Sequence, residues 1–282
     1  LQTLVSSNAL KLISIIKNMD GVVIALSGGV DSAVVAKAAL LALGDQAIAI
    51  TADSPSVPRQ DIEAAKNLAA TIGLRHQIVL TSEFDNPDYT KNAGDRCYFC
   101  KSELYETILK KLSDLNARII CSGANQDDLG DYRPGLQAAK ERGIRHPLQE
   151  AGLGKKEVRE LAQYWNLEVW DKPASPCLSS RIAPGVAVTA DRTARIEKAE
   201  IYLKSLGLRD CRVRLHHDEL VRIELLFEDI AKLADPEARK NLSEYFHALG
   251  FRFITLDMDG LRSGSLNSLV SLEVMKKYQT KS

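Results

Sequence analysis

The sequence predicts an α/β fold: a doubly wound parallel sheet followed by a second, smaller α+β domain. Three observations predict it. Short apolar runs such as Val22 to Leu26 carry no polar alternation, as strands buried on both faces of a parallel sheet do. Between such runs lie stretches of helical periodicity, Val30 to Leu43 and Arg59 to Ile72, each stopped by a glycine, Gly44 and Gly73. Past Ile182 the strands change character, because Cys211 to His216 and Leu220 to Leu226 alternate polar and apolar as half-buried strands do. Residues 1–181 are expected to form the larger domain and residues 182–282 the smaller one.

The 282 residues are 45% hydrophobic, enough for a substantial core in one large domain or two moderate ones. The 37 basic and 37 acidic side chains cancel, so no global field holds a polyanion and a nucleic-acid partner is disfavoured. No apolar run approaches the roughly 20 residues of a membrane span. The opening LQTLVSSNALKLISIIKNMD has the pattern of an amphipathic helix rather than a signal peptide, so the cytoplasm is the expected location. The chain starts at Leu1 instead of methionine, which leaves room for natural residues ahead of it.

Taken in order, the opening helix leads to the strand Val22 to Leu26. Ser27-Gly28-Gly29 breaks that strand, and Val30 to Leu43 delivers a helix N-terminus to the break, which makes an anion site. Neither a Walker A loop nor the spaced glycines of a dinucleotide-binding turn are present. Ala47 to Thr51 is the next strand, ending in the polar turn Ala52-Asp53-Ser54-Pro55, read equally as a ligand-side turn or an ordinary loop. After the helix Arg59 to Ile72 comes the strand His76 to Leu80, then a long polar loop to Asp95 and a helix from Cys97 to Leu115. The strand Arg118 to Ser122 runs into Gly123-Ala124-Asn125-Gln126-Asp127-Asp128 and Asp131-Tyr132-Arg133-Pro134-Gly135. That density of polar and turn residues reads as an active-site loop. Ile144 to Leu148 and Leu167 to Trp170 are expected as strands around a helix Lys155 to Trp165. In the second domain, Asp191 to Leu206 and Asp229 to Leu249 are expected as helices and Phe251 to Leu256 as a strand, with a polar tail beyond Gly260 that includes Ser263.

Five cysteines with one C-x-x-C point to metal or redox chemistry rather than a disulfide framework. Cys97 and Cys100, at a helix start beside Lys101, allow a redox dithiol, half a zinc site or part of an iron–sulfur site. Zinc is the weaker metal choice, since no second C-x-x-C or nearby C-x-x-H supplies a full ligand set. Cys177, in the Pro-bounded stretch Lys172 to Arg181, is the natural third sulfur. Cys121, inside a strand, reads as buried and structural, and Cys211 is given no role.

The residues Ser27-Gly28-Gly29-Val30-Asp31-Ser32 resemble the SGGxDS loop of the PP-loop ATP pyrophosphatases, so the larger domain resembles their PP-loop ATP-binding fold. That resemblance implies ATP cleaved between its α and β phosphates, pyrophosphate held by Ser27, Gly28, Gly29, Asp31 and Ser32, and magnesium facing Asp31. Ser54 and Gly123 are the further nucleotide-binding candidates. Taken with Asp131 to Gly135, the CLSSR of Cys177 to Arg181, and Arg212-Val213-Arg214, the chain resembles the LarE family of ATP-dependent sulfur transferases over nearly its whole length. The resemblance implies adenylation of a carboxylate of pyridinium-3,5-biscarboxylic acid mononucleotide and displacement of AMP by sulfur, a step in building the nickel-pincer nucleotide cofactor. One branch of that family spends the cysteine matching Cys177 as its sulfur source and lacks the other two. This chain has Cys97 and Cys100, and so is similar to the three-cysteine branch. Three thiolates can hold a [4Fe-4S] cluster with one iron open to an external sulfide. A persulfide on Cys177, resolved by Cys97 or Cys100, uses the same residues.

Strand periodicity puts Arg212, Arg214 and His216 on one face, which by pattern alone reads as a solvated face. The family resemblance instead implies that Arg212 and Arg214 grip the substrate 5′-phosphate, with Ser180 and Arg181 as neighbours. It also implies a homo-oligomer, a hexamer. Asp131 and Arg133 are expected either to orient the nucleotide or sulfur, or to fix their loop as an ion pair. Two other readings stay open: a transfer-RNA thiolase, and a non-enzymatic nucleotide-dependent iron–sulfur carrier.

Overall fold

The structure is a computed structural model describing every residue except Leu1, Asp131, Ala174, Ser263 and 279–282. The chain divides into two compact units, one of Leu1–Glu83, Cys97–Ser175 and Lys276–Ser282, the other of Phe84–Arg96 and Pro176–Met275.

In the first unit, β1 (Val22–Ala25), β2 (Ala47–Asp53), β3 (Arg75–Leu80) and β4 (Ile119–Cys121) form a parallel sheet in the order β3-β2-β1-β4. Alternate residues of these strands serve separate cores. Val22, Ile24, Ala47, Ala49 and Cys121 join one cluster, with Leu12 and Ile16 of the helix Gln2–Lys17, Val34 and Val35 of Val30–Leu43, and Val158 and Leu161 of Lys155–Tyr164. Val23, Ile48, Ile50 and Ile120 join the other, with Leu104, Tyr105 and Ile108 of Arg96–Leu109. Two cores served by one strand are what unalternated apolar runs require, and they make the sheet doubly wound.

Several expected elements take other forms. Ile144 to Leu148 is not a strand: Arg145 makes one isolated parallel bridge to Cys121, after which Pro147 starts the short helix Pro147–Glu150. Leu167 to Trp170 folds as the 3₁₀ turn Glu168–Asp171. The long helix expected over Asp229 to Leu249 is divided by Pro236 into the 3₁₀ stretch Phe227–Ala234 and the helix Pro236–Ala248, which Asp235 caps by accepting from the Ala238 N–H at 2.7 Å. The polar loop before Asp95 contains a helix of its own, Pro87–Lys91, and the tail forms Leu272–Lys277.

In the second unit, β5 (Cys211–Leu215) pairs antiparallel with β6 (Leu220–Leu225), and β6 pairs parallel with β7 (Phe253–Leu256). The apolar face of β5 and β6 carries Val213, Leu215, Val221, Ile223 and Leu225, all buried, and the helix Ala190–Ser205 covers β5. Phe84–Arg96 and Pro176–Arg181 group with this unit although they precede residue 182. Asn92 explains the first of these. It is 1% exposed, and its Nδ2 donates to the carbonyls of Ile182, Ala183 and Val186 at 3.3, 2.9 and 2.9 Å. Its Oδ1 accepts from Arg96, and Tyr89 Oη lies 2.8 Å from Ser179 Oγ.

Candidate active site

In the first unit the phosphate loop follows β1 at the carboxyl edge of the sheet. Gly28 has φ +75°, a left-handed conformation that L side chains rarely adopt, and this turns the backbone toward the helix Val30–Leu43. Gly29 caps that helix in extended conformation without a side chain, so the first-turn N–H groups have no side-chain cap. The hydroxyl of Ser32 closes the loop, donating to Gly29 O at 3.0 Å and accepting from the Ser27 N–H at 3.2 Å. The two hydroxyls lie 3.2 Å apart. Ser27, Gly28, Gly29, Asp31 and Ser32 therefore stand together.

Gly123 belongs with them for a steric reason. A Cβ there would sit 2.7 Å from the Ser32 nitrogen and 3.0 Å from the Asp31 carbonyl carbon, so only glycine lets the loop after β4 lie on the phosphate loop. From that loop, Asn125 Nδ2 donates to Asp31 Oδ1 at 3.1 Å.

Two lysines that sequence reading missed complete the surroundings. Lys155 Nζ lies 2.5 Å from Asp31 Oδ2. Lys172 Nζ donates to Gly28 O at 3.1 Å and lies 3.5 Å from Asp61 Oδ1, while Ser175 Oγ donates to Asp61 Oδ2 at 2.9 Å. Asp61, in the first turn of the helix Arg59–Ile72, is 9% exposed. Its burial on an otherwise apolar helical face is the signal that could have found this cluster.

Ser54 lies elsewhere in its interactions. Its hydroxyl donates to Glu83 Oε1 at 2.6 Å, as that of Ser56 does at 3.1 Å, so it is occupied in tying the loop after β2 to the loop after β3. Arg133 pairs with Asp128 at 2.8 Å; Asp131 lies outside the described residues. Ser122 Oγ lies 2.7 Å from His146 Nδ1, and burial holds that imidazole below its usual pKa despite the nearby carboxylates of Glu150 and Asp128.

The five thiols fall into two kinds. Cys121 and Cys211 are fully buried, and desolvation, reinforced by Glu150 at the first and Glu200 at the second, pushes each thiol up to about 12. Cys97 is exposed, and Cys100 and Cys177 are partly exposed. Cys97 and Cys100 stand on the first turn of Arg96–Leu109 in the first unit, and Cys177 precedes the 3₁₀ turn Leu178–Arg181 in the second. Among the described residues no three His, Cys, Asp or Glu side chains are grouped to hold a metal ion.

In the second unit the backbone at Cys177 is held by its neighbours. Cys177 O accepts from the Ser180 N–H at 2.9 Å, Ser180 Oγ at 2.6 Å and Arg181 at 2.9 Å. Arg181 is 2% exposed; it forks onto Glu200 at 3.0 and 3.2 Å and also donates to Pro176 O. Glu200 in turn accepts from the Val213 N–H at 3.1 Å. Arg214 places two nitrogens on Glu224 Oε2 at 3.0 and 2.9 Å and donates to Ser180 O at 3.2 Å. Glu224, with no exposure, also accepts from Arg222 and Ser265. Arg212 donates to Cys211 O at 2.7 Å; burial, then the charges of Arg181 and Arg214, lower its pKa. Ser180, Arg181, Arg212 and Arg214 are thus brought together around the Cys177 turn.

A glycine turn of this sequence, between a buried parallel strand and a helix N-terminus, defines an α/β domain of the PP-loop ATP pyrophosphatase class. Residues 8–92 match the family model described as NAD synthase. Over 92% of this chain and 94% of the relative, the sequence is 35% identical to the pyridinium-3,5-bisthiocarboxylic acid mononucleotide synthase of Lactiplantibacillus plantarum. The chain belongs to that synthase's family, the LarE family. It is 47% identical to an uncharacterised protein of Synechocystis over 90% of this chain and 94% of the relative. The tRNA-specific 2-thiouridylase MnmA of Rickettsia africae is 30% identical over 55% of this chain and 52% of its own length.

Proposed function

We propose that this enzyme uses ATP to adenylate the carboxylates of pyridinium-3,5-biscarboxylic acid mononucleotide and replaces AMP with sulfur, using Cys97, Cys100 and Cys177 as its sulfur-handling thiols. In the first step a carboxylate oxygen attacks the α-phosphorus of ATP, and the bond to the pyrophosphate oxygen breaks. The helix N-terminus, Gly28 and Gly29 suit the leaving pyrophosphate because backbone N–H groups need no reorganisation to receive its charge. In the second step a hydrosulfide-level sulfur attacks the acyl carbon, AMP leaves with the electron pair of the broken C–O bond, and the thiol proton passes to solvent. A thiocarboxylate results.

The residues present fit magnesium at Asp31, a carboxylate on the helix first turn beside the loop. Once bound, the ion would neutralise pyrophosphate charge. The [4Fe-4S] cluster on the three thiolates is the finer form of this reading and makes turnover catalytic. Its fit rests on the donor set alone, three cysteines with some exposure. Arg212 and Arg214, with Ser180 beside them, are proposed to receive the substrate phosphate. Burial, then the charges of Arg181 and Arg214, lower the pKa of Arg212, which supports this, because a phosphate dianion would favour its charged form.

The observation that carries the sulfur-transfer reading is the division of the thiols. The cysteines singled out from the sequence are the accessible ones, and those left aside are sealed and protonated. The test is anaerobic purification with iron and sulfide analysis, then turnover with ATP, sulfide and the mononucleotide, and intact mass of the protein. Expected are AMP, pyrophosphate and thiocarboxylate, with protein mass unchanged. Loss of one sulfur per chain with no iron bound would replace the cluster by sacrificial donation from Cys177. Absence of substrate-dependent pyrophosphate release would sink the enzymatic reading.

A further inference from the structure

We propose that Tyr278 and Glu141 are positioning residues for the turn from Cys97 to Cys100: both hold the side chain of Tyr98, which lies between the two cysteines, and so keep the two thiols on one side of their helix. The inference rests on the sulfur-transfer reading above for its purpose and adds two residues that the reading does not use.

Cys97 and Cys100 occupy the first turn of the helix Arg96–Leu109. A first turn is the part of a helix least supported by its own hydrogen bonds, because its N–H groups have no partner within the helix. Two side chains three positions apart share one side only while that turn stays wound. Support has to come from outside, and Tyr98 receives it at two points. Its hydroxyl donates to Glu141 Oε2 at 2.6 Å, and its ring meets that of Tyr278 with 5.9 Å between centroids and 42° between planes. Tyr98 also meets Phe99 edge-on at 5.3 Å, so holding Tyr98 restrains both residues between the cysteines. Glu141 ends the helix Pro134–Glu141, whose Gly135 backs the same turn. A Cβ on Gly135 would sit 3.0 Å from Lys101 Cγ and 3.6 Å from Cys97 O. The hydrogen bond from Tyr98 lowers the pKa of Glu141, and among smaller contributions the charge of Lys277, next to Tyr278, acts on the same carboxylate.

The burial of Tyr278 is out of keeping with the chain before it. None of the described residues from Asn267 to Lys277 is buried, and Leu269 and Leu272 are 52% and 73% exposed. Tyr278 then falls to 6%. It groups with Tyr98 in the first unit, whereas the residues up to Met275 group with the second. A stretch that buries nothing is held weakly along its length, so a ring sunk at its end is an anchor. The anchor is set against the C-x-x-C turn itself.

The test is equilibrium titration with phenylarsine oxide, whose arsenic forms two As–S bonds to neighbouring thiols and releases water. It is run on the full chain, reduced and freed of iron by a chelator, in a Cys177→Ala background where Cys97 and Cys100 are the accessible pair. The parent is compared with added Tyr278→Ala, Tyr278→Phe and Glu141→Ala, each checked by its thermal melting curve. Tyr278→Ala should weaken arsenical binding about two- to tenfold, the scale of one aromatic pair, and Glu141→Ala by about as much, the scale of one hydrogen bond. Tyr278→Phe keeps the ring and should stay within about twofold of the parent. Alkylation of Cys121 and Cys211 is the control, because these sealed thiols gain reactivity only if the fold loosens as a whole. Unchanged arsenical affinity in Tyr278→Ala, or a loss accompanied by alkylation of Cys121 and Cys211, would overturn the proposal. With Cys177 restored, Tyr278→Ala should slow thiocarboxylate formation and leave the KM for ATP unchanged. A wild type that forms no thiocarboxylate would sink the sulfur-transfer reading, while the arsenical titration would still decide whether Tyr278 and Glu141 hold the turn.

Discussion

Around the phosphate loop, charge is held where it can move: Lys155 and Asp31 meet in partial contact with water. Around the Cys177 turn it is held where it cannot. There Arg181 and Arg214 are 2% and 7% exposed, and each is forked onto a carboxylate, Glu200 or Glu224, that is itself buried. The first combines first-turn N–H groups that have no side-chain cap with a half-exposed ion pair, while the second holds buried guanidiniums on buried carboxylates. The difference teaches that a buried arginine can commit its donors to backbone as well as to a carboxylate, as Arg181 does to Cys177 O and Arg214 to Ser180 O.

That comparison is tested most severely at the locked side. Arg181→Ala leaves Glu200 buried without its main partner and should cost about 3–5 kcal/mol, read as a lowered denaturant midpoint. A loss near zero would mean that the pair is not the fixture described. At the phosphate loop the largest effect should come from Gly123→Ala, whose added Cβ is driven onto the Ser32 nitrogen at 2.7 Å. Overpacking of that kind should cost about 1–3 kcal/mol and weaken ATP binding more than substrate-phosphate binding, as parallel titrations would show. Lys172→Met should cost about 1 kcal/mol by chemical denaturation, because the helix first turn still favours the Asp61 carboxylate. A loss as large as that of Arg181→Ala would erase the contrast between the two regions.

The smallest effect is on pH dependence. Burial lowers the pKa of His146, beside the phosphate-loop side of the sheet, and of His216 on the arginine face, where Arg222 adds to it. Both imidazoles are favoured neutral in the folded chain, whereas in the unfolded chain they bind protons near the ordinary histidine value of about 6.5. Their contribution is therefore present above pH 6.5 and lost as pH falls through the lower folded values, a loss that denaturation curves on either side of pH 6.5 would detect.

Much of this was legible in the sequence where the physics is local. Val22 to Ala25 reads as a doubly buried strand from its own residues, and Ser27 to Ser32 carries its turn and helix start within six positions. Proline decided what the pattern missed: Pro147 turned an expected strand into a helix, and Pro236 divided an expected helix. The partners of the site were less visible because they come from far along the chain, as Lys155 does to Asp31 and Glu200 to Arg181. Glu200 did leave a trace. It lies one turn from Ile196, on the stripe that Ala199 and Leu203 bury, and a carboxylate on such a stripe requires a cation.

The placement of Asn92 has a consequence for cutting this protein into parts. Its amide supports three carbonyls of a segment some ninety positions downstream, so the second unit is assembled from two stretches of chain, with Cys97–Ser175 of the first unit between them in sequence. A fragment beginning at Ile182 would leave those carbonyls without their donor and omit the Pro87–Lys91 helix that delivers it. Excision of the smaller unit would require splicing Phe84–Arg96 back in. The two units are in that sense inherited together, and recombination between relatives could exchange neither one by a single crossover.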